Sequence, residues 1–317
     1  MSKHPTRTNP RLDDAARAGW LYYIAGNTQD EIAAKMGISR QSAQRMVALA
    51  TREKLVKFKL DHPIAKCMEL AQLVKQRHDL DYCQVTLADP SSNDPSLGIA
   101  EVAAGEMEKY LTAKSPIVMA LGTGLEIRNS VEQLSMINCP QHKIVSLVGN
   151  LAPDGSASFN DVIMRIGDKT HAPHHPMAVP VVATSRAERD ILCAQKPILS
   201  NISLAQSADI TFVGIGEINE APPLLTDGFI TPTELAALIE AGGVGEIVGW
   251  VYDSEGALIP GLTNERVASV PLTRPASGLV IGVARGPDKL KAIKAALCGR
   301  WISGLITDEA TAEALID

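Results

Sequence analysis

The sequence predicts an α/β protein, with a small all-α helix-turn-helix head followed by a large, mostly parallel, doubly wound α/β domain. Three observations carry this expectation. From about residue 81 onward, short apolar runs alternate with helical stretches, the pattern of a parallel sheet covered by helices. From Asp13 to about Lys54 the periodicity is helical only, broken by glycine turns. The charge is also divided: residues 1–60 hold 11 Lys/Arg against 5 Asp/Glu, and the remainder holds 19 against 31. A basic head on an acidic body is the footprint of a chain in which only the head meets a polyanion.

The bulk properties agree. A length of 317 residues allows one large and one small domain. With 45% hydrophobic residues but only 4% aromatics, the core must be built from Ala, Val, Ile and Leu, which excludes a disordered chain. The five cysteines (Cys67, Cys83, Cys139, Cys193, Cys298) are scattered without a CxxC spacing, so neither a disulfide framework nor a zinc site is expected. The opening residues have no apolar signal core, and no 18-residue apolar run occurs. The expectation is a cytoplasmic protein with no membrane partner.

Taken in order, residues 1–12 read as a polar arm. A first helix, Asp14 to Ala25, carries Ala18, Leu21, Tyr22 and Ala25 as its apolar stripe and ends at Gly26-Asn27. Thr28 with Glu31 forms a capping box for a helix from Gln29 to Met36, which buries Ile32, Ala33 and Met36 and stops at Gly37. Ser39 caps a third helix running through Arg40, Arg45 and Arg52. The segment Leu55–Leu60 reads as a strand or wing, and Pro63 opens a helix from Ile64 to His78. The expected domains are thus 1–60 for the head, 61–80 for a linker or dimerisation helix, and 81–317 for the large domain. Within the latter, strands are expected at Gln84–Leu87, Ile117–Leu121, Lys143–Val148, Ile210–Ile215, Leu279–Val283 and Leu305–Thr307. Helices are expected at Gly98–Leu111, Ile127–Met136, Arg186–Ala194, Thr233–Ala241 and Pro287–Leu297.

The stretch from Thr28 to Val47 carries the strongest local chemistry. Ala33 is small where two helices must cross, Gly37 suits a turn with positive φ, and Ile38 and Val47 are spaced to plug the space between the helices. The candidate DNA-contacting set is Thr28, Gln29, Ser39, Arg40, Gln41, Ser42, Gln44, Arg45 and Arg52. Arg pairs with guanine and Gln with adenine in the major groove, and Ser39 at a helix N-terminus suits a phosphate. Arg52, Lys54, Lys57 and Lys59 would add sequence-independent attraction to the backbone.

In the large domain, three glycine-bearing turns follow apolar strands: Gly122-Thr123-Gly124, Gly149-Asn150, and Gly214-Ile215-Gly216-Glu217. Such turns at strand ends converge where open α/β sheets bind ligands, and backbone amides at a helix start favour hydroxyl or anionic oxygens.

At this point the sequence resembles the SorC-type sugar-binding transcriptional regulators over nearly its whole length. The resemblance is carried by Trp20-Leu-Tyr-Tyr, Thr28-Gln-Asp-Glu-Ile-Ala, Gly37-Ile-Ser-Arg, Leu121-Gly-Thr-Gly, Val213-Gly-Ile-Gly, Val244-Gly-Glu-Ile-Val-Gly and Asn264-Glu-Arg-Val. It continues through Val283-Ala-Arg-Gly-Pro-Asp-Lys-Leu-Lys-Ala-Ile and Leu305-Ile-Thr-Asp-Glu-Ala-Thr-Ala. It implies an effector domain with the fold of the glucosamine-6-phosphate deaminase and ribose-5-phosphate isomerase group. It also implies homodimers or homotetramers on operator DNA, controlled by a sugar or sugar phosphate, with no cofactor.

The residues implied at the ligand are Glu246, followed by Ile247, and Lys289. Both charged positions depart from the family pattern, with Glu for the commoner Asp and Arg285-Gly286 for Gly-Gly. With the turn residues, the candidate effector set is Gly122, Thr123, Gly124, Glu126, Asn150, Gly216, Glu217, Glu246, Ile247 and Lys289. A larger departure is Leu125-Glu126-Ile127, where the family reads Arg-Thr-Leu after the first glycine turn. A carboxylate repels a phosphate and accepts hydrogen bonds from hydroxyls, so the expected effector is an unphosphorylated sugar or polyol.

Other signals carry less. His171, His174 and His175 lie among Ala172, Pro173 and Pro176 without an i, i+4 pair, which favours a loop over a metal site. Lys289 fits charge pairing better than Schiff-base chemistry. Asp227-Gly228 and Asp253 read as turn residues. No nucleophile–base spacing and no Gly-x-Ser-x-Gly is present, so no catalytic residue is expected. The rival from another class is a sugar isomerase or deaminase with an N-terminal interaction module.

Overall fold

The structure is a computed structural model that describes residues 10–53, 55–56, 64–87, 97–152, 155–156, 162–273 and 278–317. The chain divides into two compact units, residues 1–62 and 63–317.

The first unit is helical: α1 (Pro10–Tyr23), α2 (Gln29–Met36) and α3 (Arg40–Arg52). Its core is small: Ala18, Ile32, Ala43 and Val47 in one cluster, with Ala15, Leu49 and Ala50 in a second. With so little apolar area to bury, the helix ends matter. Thr28 Oγ1 accepts the Glu31 amide at 3.3 Å while Glu31 Oε2 accepts the Thr28 amide at 2.8 Å, the expected capping box. Gly37 ends α2 with φ 67°, a left-handed conformation that costs glycine little, and Ser39 Oγ accepts the Ser42 amide to start α3.

Helix α1 differs from expectation. It begins at Pro10, inside the supposed arm, and stops at Tyr23, so its buried stripe is Ala15, Ala18 and Gly19 while Tyr22 and Ala25 are exposed. The strand or wing expected over Leu55–Leu60 falls outside the described residues apart from Leu55 and Val56, which join neither helix nor strand. Lys54, Lys57, Lys59 and Pro63 also lie outside them.

The second unit begins with α4 (Ile64–Arg77), followed by β1 (Tyr82–Thr86), α5 (Leu97–Leu111), β2 (Val118–Leu121), α6 (Leu125–Gln133) and β3 (Lys143–Leu151). Next come α7 (Ile163–Thr170), β4 (His174–Pro180), α8 (Arg186–Cys193), α9 (Lys196–Gln206), β5 (Ile210–Gly214), β6 (Gly216–Glu217), α10 (Pro223–Thr226) and α11 (Pro232–Glu240). The chain closes with β7 (Gly245–Ile247), β8 (Trp250–Tyr252), β9 (Leu279–Val283), α12 (Leu290–Cys298), β10 (Gly304–Asp308) and α13 (Glu309–Ile316), with 3-10 turns at Leu262–Glu265 and Pro287–Lys289.

Seven strands form a parallel sheet in the order β1-β10-β9-β5-β2-β3-β4. Two large apolar clusters share the strand residues alternately: Met119, Leu121, Ile144 and Phe212 belong to one, and Ala120, Val145 and Val213 to the other. This is the alternation of a sheet covered on both faces. A second sheet, β6-β7-β8, is antiparallel and rests on a small core of Ile218, Leu224, Ile230, Leu235, Leu238, Val251 and Ile259.

Three expectations are corrected here. The helix set apart as a linker is part of the body: α4 buries Cys67, Leu70, Ala71 and Val74 in the larger core, and Lys66 Nζ bridges Glu309 and Glu313 of α13 at 2.6 and 2.5 Å. Gly149-Asn150 is not a turn, because β3 runs on to Leu151 with irregular register against β4. A Cβ on Gly149 would overlap the Val179 carbonyl oxygen, so this glycine serves a close backbone approach. Finally, His174 and His175 lie in β4 and not in a loop, and only His171 precedes the strand.

Candidate effector cavity and nucleic-acid interface

The order of the parallel strands fixes where a ligand can sit. The chain runs from β2 outward through β3 to β4, then returns to place β5 on the other side of β2. At such a switch point the loops leaving the carboxyl ends diverge and open a crevice. The crevice here is a cavity of about 280 Å³ between the β2–α6 turn, the β5–β6 turn and the end of β9.

Its wall brings together much of the candidate set: Thr123, Gly124, Glu126, Gly216, Glu217, Glu246 and Lys289 all line it. Three candidates do not. Gly122 packs tightly under Val248 and Val213, Asn150 continues β3, and Ile247 is buried in the core because alternation along β7 turns it away from Glu246. Sequence reasoning also missed wall residues. Asp227, read as a turn residue, caps the end of α10 and lines the cavity beside Leu224 and Phe229. Leu125, Val148, Val181 and Val283 supply further apolar wall.

Carboxylates dominate the polar lining. Glu217 and Glu246 sit on neighbouring antiparallel strands, each opposite a glycine: Gly216 pairs with Glu246 and Glu217 with Gly245. A Cβ on Gly216 would overlap Glu246 Oε1, so the glycine makes room for the carboxylate to lie across the strand. Glu246 Oε2 accepts the Gly249 amide at 2.7 Å. Burial nevertheless pushes the Glu246 carboxyl above the usual carboxylate range. The Gly249 hydrogen bond and Lys289 oppose that rise, and the charge of Glu217 adds to it.

Lys289 Nζ stands 3.9 Å from Glu217 Oε2, and Arg285 Nε stands 3.4 Å from Glu126 Oε1. Both of these cations therefore already face a carboxylate. A lining of apolar side chains and carboxyl oxygens can hold several hydroxyl groups by accepting their protons.

In the first unit, Gln41, Gln44, Arg45 and Arg52 are exposed and recur at three-, four- and seven-residue steps on one face of α3. Arg40 is exposed and faces Asp30 at 3.4 Å. Ser42 is half-buried and engaged with Ser39, while Thr28 and Ser39 serve as caps with Gln29 opening α2. Arg45 and Arg52 line a cleft with Ser42 and Arg11. Arg11 was missed because it fell in the expected arm.

Comparison with known proteins gives the lineage. Residues 62–317 match the Sugar-bind family of sugar-binding domains. The chain is 30% identical over 302 residues to the erythritol catabolism regulatory protein EryD of Brucella abortus, covering 95% of this chain and 96% of that one. The chain belongs to the SorC-type family of sugar-binding transcriptional regulators.

Another member of this family, the transcriptional regulator LsrR of Klebsiella pneumoniae, is 28% identical over 308 residues, covering 95% and 92% of the two chains. The fold of the SorC-type protein described here is shared with the full-length sorbitol operon regulator SorC from Klebsiella pneumoniae, at a TM-score of 0.71, 22% identity and coverage of 98% and 100%. It is also shared with a transcriptional regulator from Streptococcus pneumoniae, at a TM-score of 0.72, 20% identity and coverage of 80% and 98%. Among the described residues no helix is long and apolar enough to cross a membrane, and no cluster of His, Cys, Asp or Glu is arranged to hold a metal ion.

Proposed function

We propose that this SorC-type regulator binds operator DNA through α3 and adjusts that binding to a short, neutral polyol or sugar held in the switch-point cavity. The observation that carries the ligand class is charge matching. Lys289 faces Glu217 and Arg285 faces Glu126, and Glu246 and Asp227 are further carboxyl groups in the same wall. A phosphate ester entering this wall meets like charge and finds Lys289 and Arg285 already matched, whereas polyol hydroxyls find acceptors.

Size points the same way. About 280 Å³ lies just under the ~300–1,000 Å³ usual for ligand pockets, which suits a ligand of few carbons. The relation to a regulator of erythritol catabolism supports a tetritol as the first compound to try.

On the DNA side, Arg40, Gln41, Gln44 and Arg45 are the base-reading candidates, with Arg11 and Arg52 on phosphates. The protein acts in the cytoplasm as a homodimer or homotetramer, so that two recognition helices meet half-sites about one helical turn apart. Effector binding favours one arrangement of the paired bodies and thereby changes operator occupancy.

Calorimetry of the full chain with a tetritol and with its monophosphate ester tests this reading. Tighter binding of the neutral compound is expected, and tighter binding of the ester overturns it.

A further inference from the structure

We infer that Glu126 is the residue that makes this cavity refuse anions, because its carboxylate, held against Arg285, occupies the place where a ligand phosphate would otherwise be neutralised. This rests on the neutral-ligand reading above and names the side chain that determines it.

The position is built as an anion site in every respect except its own charge. Helix α6 starts at Leu125, and its N-cap, Gly124, supplies no side-chain cap, so the first-turn amides face the cavity end of the helix. A helix start of this kind stabilises negative charge. Arg285, which follows β9, supplies a guanidinium whose side chain is only 22% exposed. Glu126 itself stands in the first turn of α6, faces Arg285, is 8% exposed and is part of the cavity wall.

A buried carboxylate in a largely apolar wall persists only where a cation and oriented dipoles compensate it. Glu126 has both, so it stands in for the anion that the site would otherwise take from solution. Arg285 Nε lies 3.4 Å from Glu126 Oε1 and makes no hydrogen bond among the described residues. The guanidinium is thus held near the cavity with donor capacity that a phosphate oxygen could use once the carboxylate charge is gone. Lys289 cannot take over the exclusion, because it brings positive charge and is matched by Glu217.

The test uses inorganic phosphate as the probe, at constant ionic strength, on the full-length wild type, Glu126→Gln, and Glu126→Gln combined with Arg285→Gln. Calorimetry and thermal shift should show no saturable phosphate binding to the wild type. Glu126→Gln should bind phosphate at least about tenfold more tightly, and the added Arg285→Gln should remove that gain.

A folded Glu126→Gln protein with unchanged phosphate affinity overturns the inference, as does a gain that survives removal of the Arg285 guanidinium. If the Gln variant does not fold, Glu126→Ser, which keeps a polar oxygen in the first turn of α6, is measured in its place against the same criteria. The neutral-ligand reading fails separately, on the wild type alone, if a polyol phosphate outcompetes the polyol.

Discussion

The two units of the molecule solve the same problem by opposite means. The head holds three helices around Ala18, Ile32, Ala43 and Val47, side chains too few and small to fix the ends of the helices unaided. Its precision comes from interactions between near neighbours in sequence: Thr28 with Glu31, Gly37 with Ala33, and Ser39 with Ser42. The body buries both faces of a seven-stranded sheet, and its candidate effector cavity is assembled from turns far apart in the chain. The head is therefore sensitive at its caps, and the body where backbones or charges approach across the fold.

The largest effect that would break this contrast lies on the DNA side. Each arginine–base pairing in the major groove is worth about 1–3 kcal/mol, so Arg40→Ala together with Arg45→Ala should lower operator affinity by roughly 10²- to 10⁴-fold. Effector affinity should be unchanged, and a parallel drop would show that the head and the cavity are not separable. Gel shift and calorimetry on the same preparation read the two quantities.

In the body, Gly149→Ala should cost about 1–3 kcal/mol through overpacking against the Val179 and Pro180 backbone. At roughly 2–4 °C per kcal/mol for large domains, the melting transition of the body drops by several degrees. In the head, Thr28→Ala removes the side-chain half of the capping box and should cost about 1 kcal/mol. Faster hydrogen exchange of the α2 amides, with the body unaffected, is the expected signature.

The smallest effect concerns charge in the cavity. Because the Glu246 carboxyl is raised in the folded protein, the native state keeps a proton that the unfolded chain has released. Stability from this group is complete at acidic pH and is lost as pH rises through the raised value. Glu246→Gln should therefore raise the melting temperature of the ligand-free protein modestly near neutral pH and leave it unchanged in acid. A uniform shift at every pH would assign the effect to packing.

What could be read from sequence follows the same division. Helix α2 was legible to the residue, and α3 from its Ser39 cap, because their signals lie within four positions of each end. The apolar strands β2, β5 and β9 were legible because burial on both faces leaves continuous apolar runs. Strand β4 was not, since Pro176 and two histidines resemble a loop. Its place at the sheet edge explains why a missing amide is tolerated there.

The strands of the small sheet span only two or three residues, too short for any periodicity to show. Within the cavity, Glu217 and Glu246 were visible beside their glycines. The Glu126–Arg285 approach and the turn of Asp227 toward the cavity depend on packing between remote segments, which no local pattern records.

The boundary at His62 and Pro63 has a consequence for protein engineering. A sensor body grafted onto a different output module must bring α4 along as its first element. A graft joined after residue 80 would remove Cys67, Leu70, Ala71 and Val74 from the apolar core and leave Glu309 and Glu313 without Lys66. A splice at residue 63 keeps those interactions and carries the cavity over intact. The natural cut-point of this regulator is therefore the start of a helix that looks from its sequence like a spacer.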